Sequence, residues 1–506
     1  MTANLFSRLF DDVTDLNRLA IETPDGGRVS YGDLIERAGR TANYLVSRGV
    51  KVGDRVAVQV EKSVPALVLY LATVRAGAVF LPLNTAYTLN EIAYFVGDAE
   101  PSLIVCDPQK FDGISALAKG IGATVDTLDG NGNGTISEGS ARSTPAFTTV
   151  ARAGDDLAAI LYTSGTTGRS KGAMLSHDNL VSNSQTLVDF WRFTDKDVLI
   201  HALPIYHTHG LFVASNVTLF ARGSMIFLSK FDPNQVIDLM ARATVMMGVP
   251  TFYTRLLQSP RLTRDATKHM RLFISGSAPL LADTHREWSA KTGHAVLERY
   301  GMTETNMNTS NPYDGDRVPG AVGLPLPGVS VRVTDPETGT ELARDSIGMI
   351  EVKGPNVFKG YWRMPEKTKS EFRDDGFFIT GDLGKIDDKG YVHILGRGKD
   401  LVISGGFNVY PKEVESEIDA VPGVIESAVI GVAHADFGEG VTAVVVADKT
   451  AGLSEETIIH ALDGRLAKFK MPKRVLFVDD LPRNTMGKVQ KNVLRDAYAD
   501  LYARKS

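Results

Sequence analysis

Short apolar runs of strand length alternate with longer helical patterns, and this alternation restricts the fold more than any other feature of the chain. RVAVQV at 55–60, SLIVCD at 102–107 and LAAILYTSG at 157–165 are β-rich, whereas SYGDLIERAGRTANYLVSRGV at 30–50 carries helical spacing. Strands separated by helices of these lengths predict an α/β fold with mostly parallel sheets. Ligands of such folds bind in crevices beyond the strand ends, where Gly-rich loops lie. PALVLYLATVRAGAVFLPLN at 65–84 has Arg75 at its centre and reads as a buried helix running into a strand, not as a membrane span. From about residue 320 the pattern changes to Gly/Pro-punctuated strands, and after Lys399 it resumes with EVESEIDAVPGV, SAVIGVAH and a helix near 455–468. With 506 residues the chain exceeds what one core organises. We expect a large, multi-layer N-terminal α/β domain over 1–398 and a small α+β domain over 399–506, with no flexible linker between them.

Composition removes several function classes. A chain that is 43% hydrophobic and 23% charged is a globular, soluble type, neither disordered nor fibrous. A net charge of −5 without a long basic block argues against nucleic acid or an acidic membrane as the main partner. Cys106 is the only cysteine, so an intramolecular disulfide and a Cys-rich metal site are excluded, and a reducing, cytoplasmic location is expected. The thiol itself reads as a small buried hydrophobe. MTANLFSRLFDD lacks the layout of a signal peptide. In the tract at 126–147, Asp129, Asn131, Asn133 and Gly134 imitate the start of a calcium loop, but Ser140 stands where the bidentate glutamate belongs. An exposed flexible loop is the expectation there.

YTSGTTGRSKG at 162–172 packs Ser/Thr hydroxyls, three glycines and Lys171 directly behind a hydrophobic strand. Glycines let backbone N–H groups close around an anion, hydroxyls add donors, and the lysine adds charge. This is phosphate-loop chemistry, although the spacing is not that of a Walker motif. The whole string resembles the signature of adenylate-forming enzymes, a family that includes acyl-CoA synthetases and peptide-synthetase adenylation domains. PIYHTHG at 204–210, SGSAPL at 275–280, YGMTET at 300–305, ITGD at 379–382, GRGKDLVISGGFNVYPKEVE at 396–415 and PRNTMGKVQK at 482–491 extend the likeness in the family's order.

The resemblance implies a reaction in two halves: a carboxylate attacks the α-phosphorus of ATP, and the CoA thiol then displaces AMP from the acyl-adenylate. It implies that Thr163, Ser164, Thr166, Thr167 and Lys171 handle the β- and γ-phosphates, and that Ser277, Ala278 and Pro279 with Tyr300 hold the adenine. Thr303 is implied at the α-phosphate, Glu304 with Thr163 at magnesium, and Asp382 at the ribose hydroxyls, assisted by Arg397. Lys488 is implied as the catalytic lysine, and its acylation as a means of silencing the enzyme, which makes a lysine acetyltransferase and a deacetylase possible partners. Asn484 stands where the family usually has a basic or hydroxyl residue, a departure that leaves the role of Lys488 intact. Lys399, between Gly396 and Gly398, is implied as the hinge of a mobile small domain. His207 is implied as the gate between acyl pocket and CoA tunnel; in an extended segment His207 and His209 would share a face, but no third zinc ligand is evident.

Arg299, in LERYGMTET, is the residue that narrows the substrate. Many relatives carry a small or neutral residue there, close to the acyl group. A buried guanidinium needs a partner: a second substrate carboxylate would satisfy it, and so would an internal bridge to Glu298 or Glu341. Arg255 in PTFYTRLL is expected along the same pocket, so that two arginines could grip one carboxylate. ERYGMTETNM with HTHGLF and PTFYTRL resembles the branch of the family that activates malonate and often methylmalonate. Thr208 and Met307 are then the expected walls around the α-substituent, with Ser277 also at the acyl group. A short- or medium-chain acyl-CoA synthetase and an adenylation protein that loads a carrier protein are the alternatives.

Overall fold

Helix Tyr31–Ser47 begins at a reciprocal cap. The Ser30 hydroxyl accepts from the Asp33 amide at 3.0 Å and the Asp33 carboxylate accepts from the Ser30 amide at 2.8 Å. Such caps are worth about 1 kcal/mol. Leu34, Ala38, Ala42 and Leu45 form its buried stripe, and it packs against the apolar helix Val64–Arg75. Arg75 ends that second helix with two bonds of 2.8 Å, to the carbonyls of Ile35 and Phe147, and its guanidinium carbon lies 4.5 Å from the Phe6 ring centre. Protein carbonyls and a π-face therefore hold the charge inside the apolar stretch at 65–84, and strand Val79–Pro82 follows as expected.

The structure is a computed structural model that describes residues 2–163, 170–404, 407–434, 436–484 and 487–502. The chain packs as two compact units, Met1–Val331 with Val352–Phe378, and Arg332–Glu351 with Ile379–Ser506. The expected boundary at 398/399 falls inside the second unit, because strands Phe378–Ile386 and Val392–Arg397 pair directly, Asp382 opposite Arg397.

Two mixed sheets form the first unit among the described residues. One runs in the order 124–127, 103–106, 55–59, 79–82, 157–163, 171–176 and is parallel up to the final antiparallel pair. The other has a parallel centre, 297–302, 272–275, 245–248, 198–201, 224–227 and 19–22, flanked by antiparallel strands at both edges. The mixed α/β architecture is the one expected from the sequence. Cys106 is buried among Ile104, Val96 and Ala118, and burial pushes its thiol up to about 12.

In the second unit, strands 438–447 and 424–434 pair antiparallel and strand 474–477 joins parallel to the first. Val414, Ile418, Val429, Val441, Ile458 and Leu462 form its core. The helix expected at 455–468 ends at Leu462, where Asp463 turns extended. Among the described residues no helix is long and apolar enough to cross a membrane.

The tract at 126–147 departs from the open loop expected of it, since Thr135–Arg142 is helical. Ile136 is buried. The Thr127 amide donates to the Thr135 hydroxyl at 2.8 Å and the Thr135 amide to the Thr127 hydroxyl at 3.1 Å. The Asp129 carboxylate accepts from the amides of Asn131 and Asn133, so it closes a turn. One buried side chain and two reciprocal hydroxyl bonds order a segment too short to show helical periodicity.

Candidate active site

Successive side chains of a strand point to opposite faces. In strand Leu297–Met302, Arg299 therefore faces away from both Glu298 and Tyr300. Glu298 accepts from the Gly320 amide at 3.1 Å on its own side. Arg299 is 3% exposed, and its Nε and Nη2 have no hydrogen-bond partner among the described residues. Burial pushes the guanidinium down to about 9, with Tyr253 acting in the opposite sense. Strand Leu272–Ser275 lies alongside, and Gly276 beyond it packs on the guanidinium: a Cβ there would stand 2.3 Å from Arg299 Cζ.

Among the described residues, Ser275 Oγ on that strand and Thr208 Oγ1 and His209 Nε2 in HTHG are also buried without a partner. His209 Nδ1 lies 3.2 Å from Ser277 Oγ, and Ser277 itself has φ +72°, a left-handed residue in the middle of SGSAPL. Desolvation, with the Arg299 charge second, pushes His207 down to about 4 and His209 well below its ordinary value, so both imidazoles are neutral at pH 7. HTHG is not extended. His209–Ser215 is a π-helix whose start wedges Gly210 against the Pro204 carbonyl; π-turns of this kind are frequent at functional sites.

Arg255 does not join Arg299. It is exposed, and its guanidinium carbon lies 5.1 Å from the Phe231 ring centre. Tyr253, which does feel Arg299, sits two residues earlier in helix Pro250–Leu257, about 200° round its axis. The helix is where the sequence suggested, but Arg255 is on its outer face. Met307 is buried, with its Cε against Gly301 in the paired strand.

Strand Leu157–Thr163 carries the phosphate-loop motif, of which Ser164, Thr166 and Thr167 lie outside the described residues; Thr163 pairs with Lys171 across the hairpin. Lys171 Nζ lies 3.2 Å from Glu371 Oε1 and 4.1 Å from the Tyr361 ring centre. The Tyr361 hydroxyl is within donating distance of two carboxylates, Glu304 Oε1 at 3.0 Å and Glu371 Oε2 at 3.2 Å. Burial and those two carboxylates push the phenol far above its ordinary value. Glu304 is buried, Thr303, Tyr300 and Ala278 are half-buried, and Pro279 is exposed.

In the second unit, Arg397 Nε donates to Asp382 Oδ1 at 2.7 Å and Nη1 to the Thr380 carbonyl at 3.2 Å. Lys488 is exposed as a residue, yet its ammonium feels Arg397, Asp382, Asp400 and Lys399. Desolvation, then the Arg397 charge, push it down to about 8 against the pull of the two carboxylates. Asn484 is not remote from it: its Oδ1 accepts from the Lys488 amide and its own amide donates to the Lys488 carbonyl, both at 2.9 Å. Lys399 is exposed in the turn Gly398–Asp400.

A model of the AMP-binding enzyme family matches residues 12–362, and that of the AMP-binding enzyme C-terminal domain matches 413–488. The chain belongs to the AMP-binding enzyme family. Within that family it is 34% identical to a malonate–CoA ligase of Arabidopsis thaliana, over 97% of this chain and 88% of the relative. It is 36% identical to a feruloyl-CoA synthase of Amycolatopsis sp, over 93% and 94%. The crystal structure of ATP bound MatB from Rhodopseudomonas palustris is 78% identical over 99% of this chain and 100% of that one, with a TM-score of 0.98.

Sequence reading missed two residues that the structure brings against Lys171, Tyr361 and Glu371. No local signal marks them. Segment 359–362 reaches Lys171 only because its backbone bonds to strand 171–176, with the Trp362 amide donating to the Gly172 carbonyl at 2.7 Å.

Proposed function

We propose that the chain is an AMP-forming malonyl-CoA synthetase that also accepts methylmalonate. In the first half a carboxylate oxygen of the diacid bonds to the α-phosphorus of ATP while the bond to the β-phosphate oxygen breaks, giving the acyl-adenylate and pyrophosphate. In the second half the sulfur of CoA bonds to the acyl carbon, the acyl–phosphate oxygen bond breaks, AMP leaves, and the thiol proton passes to solvent. The observation that carries the substrate is the buried Arg299 guanidinium, which has no carboxylate partner among the described residues. Isolated buried charges are strongly unfavourable, and a ligand anion removes that cost. The distal carboxylate of malonate supplies it, with donors from Thr208, His209 and Ser275 within the same neighbourhood.

In this reading Thr163, Ser164, Thr166, Thr167 and Lys171 hold the β- and γ-phosphates; Ser277, Ala278, Pro279 and Tyr300 the adenine; Thr303 the α-phosphate; and Asp382, steadied by Arg397, the ribose. His207, neutral at pH 7, adds no charge to the path of CoA. Met307 and Thr208 limit the α-substituent. Magnesium fits Glu304: one buried carboxylate with a hydroxyl beside it suits an ion that keeps waters and phosphate oxygens, and among the described residues no group of three His, Cys, Asp or Glu offers a fuller protein cage. Glu304 and Thr163 would hold it, and bound there it would neutralise phosphate charge. Lys488 supplies the cation for adenylation and is the position at which a lysine acetyltransferase would silence the enzyme; Lys399 is the hinge. A cytosolic location completes the reading, resting on the single cysteine.

Pyrophosphate release with malonate, methylmalonate, succinate, acetate, butyrate and benzoate tests the substrate. Malonate and methylmalonate are expected to dominate. Dominance of butyrate or benzoate would make Arg299 structural and end the dicarboxylate reading.

A further inference from the structure

Glu371 belongs to no motif discussed so far, yet three groups converge on it. Its Oε1 is 3.2 Å from Lys171 Nζ and 2.6 Å from Lys367 Nζ, and its Oε2 is 3.2 Å from the Tyr361 hydroxyl. Helix Pro365–Ser370 explains the arrangement: Lys367 and Glu371 are four residues apart on one face, and Glu371 caps the C-terminus. The helix is fastened in turn to the strand edge, since the Tyr361 amide donates to the Thr368 hydroxyl at 2.9 Å.

A carboxylate beside a phosphate-binding lysine would ordinarily weaken anion binding by cancelling its charge. Here the cancellation is incomplete, because Lys171 and Lys367 share this one carboxylate. Without the carboxylate, Lys171 and Lys367 would repel each other at close range, and Lys171, whose side chain is 10% exposed, has little water to turn to. Glu371 thus fixes the direction of Lys171. Tyr361 extends the arrangement: a hydroxyl has a single proton, and this one lies within reach of both Glu371 and Glu304.

We propose that Glu371 is a positioning residue that aims the Lys171 ammonium at the polyphosphate of ATP, with Tyr361 tying it to Glu304. The proposal rests on the adenylate-forming reading above. It predicts a division between the half-reactions, because pyrophosphate has left before CoA attacks.

The test is a cycle of four proteins: wild type, Glu371→Gln, Lys171→Met and the double variant. Each is assayed by calorimetric titration with a non-hydrolysable ATP analogue, by pyrophosphate exchange, and by thioester formation from synthetic malonyl-adenylate. Glu371→Gln is isosteric at a helix end, so its far-UV circular dichroism is expected to match wild type, while its melting temperature is expected to fall by a few degrees because two ammoniums lose their shared carboxylate. It is expected to weaken ATP binding about tenfold, the scale of a lost charged hydrogen bond. The Michaelis constant for malonate and the rate of thioester formation are expected to stay put. Because Glu371 acts through Lys171, the double variant should bind ATP no more weakly than Lys171→Met alone. Unchanged or tighter ATP binding by Glu371→Gln, or an additive loss in the double variant, overturns the proposal. If wild type exchanges no pyrophosphate with any acid, the adenylate-forming reading falls, while the calorimetric cycle still decides whether Glu371 works through Lys171.

Discussion

Arg299→Met sets stability against function, and the structure predicts opposite signs for the two. Methionine keeps most of the volume beside Gly276 and Tyr253 and removes the charge. Arg299 is 3% exposed and two of its guanidinium nitrogens have no partner among the described residues, so the protein alone loses little that the charge was stabilising. Replacing a buried charge by an apolar side chain of similar volume is often neutral or stabilising, by about 1–4 kcal/mol, whereas breaking a buried pair costs about 3–5 kcal/mol. The first figure applies to the protein without malonate and the second to its complex with malonate. At about 1.4 kcal/mol per decade, kcat/KM for malonate should fall by roughly two to nearly four decades. The melting temperature should hold or rise. The two imidazoles report independently: the Arg299 charge lowers both His207 and His209, so their pKa values, read by NMR titration, should rise in the variant. A drop of many degrees in melting temperature with malonate specificity kept within about threefold of wild type would show that Arg299 serves the fold, and would refute the reasoning.

Two further outcomes follow from titration. His177 is buried, accepts from the Leu5 amide at 3.0 Å and is pushed down to about 4 by burial and then by Arg152. Because its folded value lies below the unfolded one, its contribution to stability is complete above about pH 6.5 and is lost as pH falls toward 4, up to about 3 kcal/mol. Urea midpoints of wild type should decline over that window, and those of His177→Gln should decline less; parallel curves would count against it. Lys488, held near 8, should lose its proton as pH rises through that value, so pyrophosphate formation should fall there while thioester formation from synthetic malonyl-adenylate does not. Lys488→Gln should reproduce the high-pH behaviour at pH 7, and equal losses in both halves would remove Lys488 from adenylation.

What could be read from the sequence was whatever is encoded locally. The capped helix after Ser30, the buried helix at 64–75 and the strands before each Gly-rich loop follow from spacing and capping residues that lie within a few positions of one another. Motif strings placed Lys171, Glu304 and Asp382 in the same way. What could not be read depends on contacts between distant segments. The π-helix at His209–Ser215 begins where Gly210 packs on the Pro204 carbonyl, a contact that no local pattern announces. Arg255 was assigned to the right helix and the wrong face, because a helix of eight residues with several polar positions leaves its rotation to packing. Tyr361 and Glu371 approach Lys171 only after segment 359–362 pairs with strand 171–176.

Arg299 combines both situations. Its neighbour Glu298 is the nearest carboxylate in sequence and therefore the obvious internal partner, but adjacency in a strand is what separates the two side chains, one to each face of the sheet. Glu298 serves the backbone on its side through the Gly320 amide, and Arg299 is left with Tyr253, Gly276 and neutral imidazoles. A sequence that builds such a cation into its interior is more stable with an anion beside it than without one. On the proposed function, that difference is the binding energy a dicarboxylate would gain and a monocarboxylate forgo, because the strand denies Arg299 its nearest carboxylate in sequence.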